Sequence, residues 1–194
     1  MVHGRGGSAE DILPLTREVG APGFAYLAPQ AAGHTWYPYS FLMPVEQNEP
    51  YLSSALATID RVLGQVAEAG IPAGRTVLLG FSQGACLASE FVARNARCYG
   101  GLIVFSGGLI GSDVAARDYP GSLDGTPVFI GCSDVDAHIP EKRVRETAAV
   151  FEHLGGDVDM RIYPGMGHNI NQDELRAAKV IVTAVMSQAA GESQ

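Results

Sequence analysis

At 194 residues the chain has the length of one domain with a sizeable core. Its net charge of −8 and pI near 5.0 exclude, as classes, proteins that grip nucleic acid or an anionic membrane surface through basic patches. No apolar run has the length of a membrane span, no basic-then-apolar leader opens the chain, and Cys86, Cys98 and Cys132 are too scattered for a disulfide framework or a zinc knuckle; a cytoplasmic setting is expected.

In chain order, residues 1–7 form a Gly-rich turn, and Ser8 is a good N-cap for a short helix with Asp11 three residues on. Pro14 kinks or ends that helix. Phe24 to Ala28 reads as a short buried strand between Pro22-Gly23 and Pro29. Residues 29–50 show no clean period. They hold Trp36, Tyr37, Phe41 and Met43 among several prolines, so this loop either walls an apolar substrate pocket or covers a satellite core. Leu52, Leu56, Ile59, Leu63 and Val66 recur at helical spacing, and Gly70 ends the run.

Apolar strands follow at 76–79, 102–105 and 128–130, with helices after the first and third: one to about Arg94, one carrying Val144, Ala148, Phe151 and Leu154. Met160 to Tyr163 is half-polar, as befits an edge strand. Asn171 caps a last helix with Glu174 at its third position and Leu175, Ala178, Val182 and Val185 as its buried stripe. Strands that are apolar on both faces and alternate with helices make an α/β domain: a mostly parallel central sheet flanked by helices on both faces. The whole of 1–194 reads as that one domain, with a polar tail at 191–194.

Three strand ends carry chemistry. Gly80-Phe81-Ser82-Gln83-Gly84 lies between a strand and a helix, the setting of a nucleophile elbow. Asp134 and Asp136 follow the 128–130 strand, and His168 follows the 160–163 strand. Serine needs a base to become a nucleophile, and histidine needs a carboxylate to fix its tautomer, so Ser82, His168 and one of the two aspartates form a candidate triad. Spacing alone leaves Asp134 and Asp136 both open. Asp134, Asp136 and His138 also have a metal-like spacing, but no further ligand stands near them, so no metal is expected. An oxyanion hole is expected from the backbone N–H of Gln83 and, in the turn His3-Gly4-Arg5-Gly6-Gly7, that of Arg5. The Arg5 side chain reads as a surface charge.

With His3-Gly-Arg-Gly-Gly-Ser8, Trp36-Tyr37-Pro38, the Gly-Phe-Ser-Gln-Gly elbow, Ser106-Gly107-Gly108, Asp136-x-x-Ile-Pro140 and Gly165-x-Gly-His168, the chain resembles the phospholipase/carboxylesterase family of serine α/β-hydrolases from His3 to the last helix. The resemblance implies an α/β-hydrolase fold without a large cap domain. It implies Ser82 as nucleophile, Asp136 as acid, His168 as base, Arg5 and Gln83 as oxyanion donors, no cofactor, and a homodimer as a common assembly. It differs from the family at Ala137, where proline is usual. It differs also before His3, where two residues are too few for a strand and the first central strand reads as truncated. The expected activity is hydrolysis of short or medium-chain carboxylic esters through an acyl-enzyme. Acyl-thioester and lysophospholipid hydrolysis are neighbouring readings, and a catalytically silent ligand-binding protein of the same fold is the reading from another class.

Overall fold

The computed structural model describes residues 1–191, so the expected polar tail lies outside the described residues from 192 onward. Four parallel strands form one sheet in the order β1 (Val77–Phe81), β2 (Gly101–Phe105), β3 (Pro127–Ser133) and β4 (Asp157–Tyr163). Side chains alternate across a strand, and β1 to β3 are apolar at successive positions, so both of their faces are greasy, whereas β4 alternates with Asp157, Asp159 and Arg161. Leu78, Leu102, Val104, Val128 and Ile130 point to one core; Leu79, Ile103, Phe105 and Phe129 point to the other.

The first core is closed by α3 (Tyr51–Glu68), α4 (Gln83–Arg94) and α5 (Glu141–His153), through Leu52, Ile59, Leu87, Phe91, Val144, Ala148 and Phe151. The second is closed by α1 (Ala9–Ile12), α2 (Thr16–Val19) and α6 (Gln172–Gly191), through Ile12, Val19, Leu175, Ala178 and Val182. Ser8 and Asp11 make the reciprocal capping box of α1. Pro14 ends α1, and a single 3₁₀ turn over Leu13–Leu15 hands the chain to α2. Asn171 accepts from the Asp173 and Glu174 amides, and Glu174 accepts from the Asn171 amide, which fixes the start of α6.

One feature departs from the sequence reading. Phe24–Ala28 is extended but is no strand of the sheet, and Leu27 is 46% exposed. The physical reason is the lack of a partner: between this stretch and β1 lies an apolar slot of about 310 Å³. Ile59, Leu63 and Val66 of α3 bound the slot on one side, and Val182, Val185 and Met186 of α6 on the other. At its end Val2 makes a single parallel bridge to Gly80, its N–H donating to Leu79 C=O at 2.8 Å and its carbonyl accepting from Phe81 N–H at 3.2 Å. In a parallel ladder alternate residues face alternate neighbours, so the Leu79 N–H and Val77 C=O face the slot, where the Val2 bridge has stopped.

Candidate active site

The sheet places the ends of β1, β3 and β4 side by side, and the loops that leave them converge. At the end of β1 the chain must reverse into α4 within one residue. Ser82 adopts φ 55°, ψ −121°, a backbone region that costs a non-glycine residue on the order of 1–3 kcal/mol. The surrounding packing holds it there. A Cβ on Gly80 would strike the Gly84 backbone, and one on Gly84 would strike the carbonyls of Val2 and His3, so only glycine allows strand, helix and Val2 to meet. Ser82 N–H donates to Phe105 C=O at 2.9 Å, and Cys86 N–H donates to Ser82 C=O at 2.9 Å, which locks the turn from both ends.

Ser82 Oγ lies 2.8 Å from His168 Nε2, and His168 Nδ1 lies 2.7 Å from Asp136 Oδ2. A proton on Nδ1 therefore donates to the carboxylate and leaves Nε2 free to accept from the hydroxyl. The Asp136 side chain is fully buried. Burial alone would raise its pKa. Hydrogen bonds from the His168 ring and from the His138 and Ile139 amides, at 2.8 and 3.0 Å to Oδ1, outweigh it and hold the carboxyl below the ordinary carboxylate value. Asp134, the other candidate, does not reach His168. Its Oδ1 accepts from Gly165 N–H at 2.8 Å, while Ser133 Oγ accepts from Gly167 N–H at 3.0 Å. These two β3 residues fasten the loop that carries His168.

Ser82 and His168 open onto a cavity of about 470 Å³ walled by Tyr37, Pro38, Phe41, Phe81 and Ile139, with His138 at its rim. Arg5 and Gln83 border it too, and among the described residues neither backbone N–H has an acceptor. Of the aromatic loop, Tyr37 and Phe41 line the cavity, whereas Trp36 and Met43 do not. Trp36 is buried behind the wall, its Nε1–H donating to His3 C=O at 2.9 Å and its ring tilted 35° against that of His3 at 4.9 Å. Met43 is 38% exposed. The loop is thus both a pocket wall and a small core.

Two side chains hold that wall in ways the sequence did not announce. The Arg5 guanidinium is no free surface charge: it donates to the carbonyls of Tyr37, Pro38 and Tyr39 at 2.8 to 3.0 Å. The buried Gln83 amide accepts from Trp36 N–H at 3.0 Å and donates to Tyr37 C=O at 2.8 Å. A polar residue directly after the elbow serine was the only clue to the second. Cys86 lies under Tyr37, and burial pushes its thiol up to about 12, so it stays protonated and inert. Among the described residues no group of three or more His, Cys, Asp or Glu is placed to hold a metal ion, and no helix is long and apolar enough to cross a membrane.

Residues 3–186 match the family described as phospholipase/carboxylesterase. The chain is similar to an acyl-protein thioesterase 1 of Neurospora crassa, 29% identical over 76% of this chain and 61% of that protein. It is also similar to a probable carboxylesterase of Oryza sativa, 26% identical over 90% of this chain and 72% of the relative. The chain thus spans roughly three fifths to seven tenths of the length of these relatives. Among solved structures it resembles a phospholipase/carboxylesterase from Dyadobacter fermentans, with a TM-score of 0.88 and 44% identity over 96% of this chain and 88% of that one. It resembles an esterase named PE8 with a TM-score of 0.74 and 26% identity, over 95% of this chain and 90% of that one.

Proposed function

Because the chain belongs to the phospholipase/carboxylesterase family, we propose that it is a serine carboxylesterase that hydrolyses short to medium-chain esters through an acyl-enzyme. The observation that carries the reading is the unbroken line Ser82 Oγ, His168, Asp136 at 2.8 and 2.7 Å, opening on an apolar cavity. Ser82 Oγ attacks the ester carbonyl carbon as its proton passes to His168 Nε2. Asp136 stabilises the imidazolium that forms. The carbonyl oxygen, now negative, accepts from the Arg5 and Gln83 N–H groups, and the positive end of α4 lies beneath it. His168 returns the proton to the departing alkoxide, and a water molecule repeats the sequence on the acyl-serine.

No carboxylate lines the cavity, and its walls are mostly aromatic and aliphatic, which favours an uncharged acyl group. The same atoms cleave thioesters, and the thioesterase relative makes an acyl thioester the second reading. The test is a burst assay with p-nitrophenyl acetate and butyrate, with and without a serine-directed phosphonate. A phosphonate-sensitive burst and a label on Ser82 are expected. No turnover and no label would leave the ligand-binding reading in its place. Acyl-coenzyme A of matched chain length, run beside the butyrate ester, separates thioesterase from esterase.

A further inference from the structure

His138 is absorbed by none of the roles above. It stands two residues after Asp136 in the chain and is exposed at the rim of the cavity that holds Ser82. Its backbone N–H is spent on Asp136 Oδ1, and the next residue, Ile139, is buried and bonded to the same oxygen. The ring therefore rides on the loop that carries the carboxylate. It meets the His168 ring edge to face, with 4.8 Å between centroids and 67° between planes. Phe81 covers His168 from its own side at 5.0 Å. His168 is thus clasped between an apolar ring and a titratable one.

The charged and titratable groups around His138 are few. Asp136 and His168 stand on the β3 and β4 loops, and Arg5, Tyr37, Tyr39 and Cys86 share the cavity lining with it. Arg5 is held on three carbonyls, and the Cys86 thiol stays neutral. Among the described residues no hydrogen bond ends on the His138 ring, and the nearest carboxylate, Asp136, is already engaged by the His168 ring and by two amides.

We propose that His138 is a positioning residue: its ring packs edge to face on the base, and a positive charge at that position hinders His168 from taking the serine proton. The inference rests on the reading of His168 as the base. When residue 138 is neutral, its ring packs against His168 and leaves the base free to charge. When it is protonated, a like charge sits about 5 Å from the imidazolium that must form during attack. Coulomb's law over that distance, at effective dielectric constants between about 80 and 40, makes the attack roughly five- to twentyfold slower.

The test is a charge series at position 138 in the full chain: His138→Phe, which keeps a ring without a charge, and His138→Lys, which carries a permanent one. At pH 8 and low salt the Lys variant has a kcat about tenfold below that of the Phe variant. In 0.5 M NaCl much of the Lys deficit disappears, since the pair is partly exposed to solvent. A merely structural role would not produce the salt response. A Lys variant as fast as the Phe variant, or one whose deficit does not change with salt, overturns the proposal. His168→Ala is run alongside. If it remains active, the reading of the site falls and the inference with it; if it is inactive while the 138 series is flat, only the inference falls.

Discussion

Replacing Gln83 by Met removes the clasp between the elbow and the aromatic loop without touching the Ser82–His168–Asp136 line. Methionine matches the length of glutamine but can neither accept from Trp36 N–H nor donate to Tyr37 C=O, and both bonds are buried. Each buried backbone group left without a partner costs about 1–3 kcal/mol, so the pair costs about 2–6 kcal/mol. For a chain of this size each kcal/mol moves Tm by about 2–4 °C, so calorimetry is expected to show a fall of about 4–24 °C. The kinetic signature is separate. The Gln83 N–H survives the substitution, so kcat with p-nitrophenyl butyrate stays within about threefold, while KM rises because Tyr37 and Phe41 no longer hold their places. A Tm within 2 °C of the parent would refute the clasp, and a collapse of kcat at unchanged KM would show that the side chain acts on the reacting atoms instead.

Other outcomes follow from the same geometry. Ser82→Ala and His168→Ala are expected to lower kcat by roughly 10⁵–10⁶ and Asp136→Asn by roughly 10⁴, with Asp134→Asn far milder because Asp134 only ties down Gly165; steady-state kinetics on the purified variants decide the ranking. Glu174 is fully buried with Oε1 unpartnered, and burial pushes its carboxyl up to about 7. The folded chain then holds a proton that the unfolded chain has released between about pH 4.5 and 7, so this residue makes stability fall as pH rises through that window. Glu174→Gln is therefore expected to raise Tm at pH 8 and to leave it nearly unchanged at pH 4.5, by thermal melts at both pH values. Fusing four apolar, β-branched residues ahead of Met1 supplies partners for the Leu79 N–H and Val77 C=O and fills the slot, so Tm rises, whereas a Gly-Ser fusion of equal length leaves it flat; equal melts for the two would show that the slot accepts no strand.

The strands and helices that were legible were those whose apolar period is set locally. Val77–Phe81, Gly101–Phe105 and the α3 stripe each announce themselves within a few residues, and both capping boxes are readable from four letters. Phe24–Ala28 has the same local composition as a strand and fails because a strand needs a neighbour, which no local pattern reports. The site divides the same way. Ser82 and the strand-end position of His168 follow from motif and order. The choice between Asp134 and Asp136 could not follow from spacing, since both leave the same strand and only the turn at Asp136–Ile139 aims one of them at the imidazole. Gln83, Arg5 and Ser133 hold loops 30 or more residues away, and nothing in the sequence marks such long reaches.

The line of hydrogen bonds at the site joins residues separated by 86 and 32 positions in the chain. None of those contacts can form inside a helix, a hairpin or a single strand–helix unit; each waits on the pairing of β1 with β2, β2 with β3 and β3 with β4. A refolding chain should therefore gain its helices first and its reactive serine last, and a fluorogenic ester added during refolding would time the completion of the sheet better than circular dichroism. On the proposed reading, a cell that makes this chain carries no half-built esterase along the way, because Ser82 meets His168 only when the fold is closed.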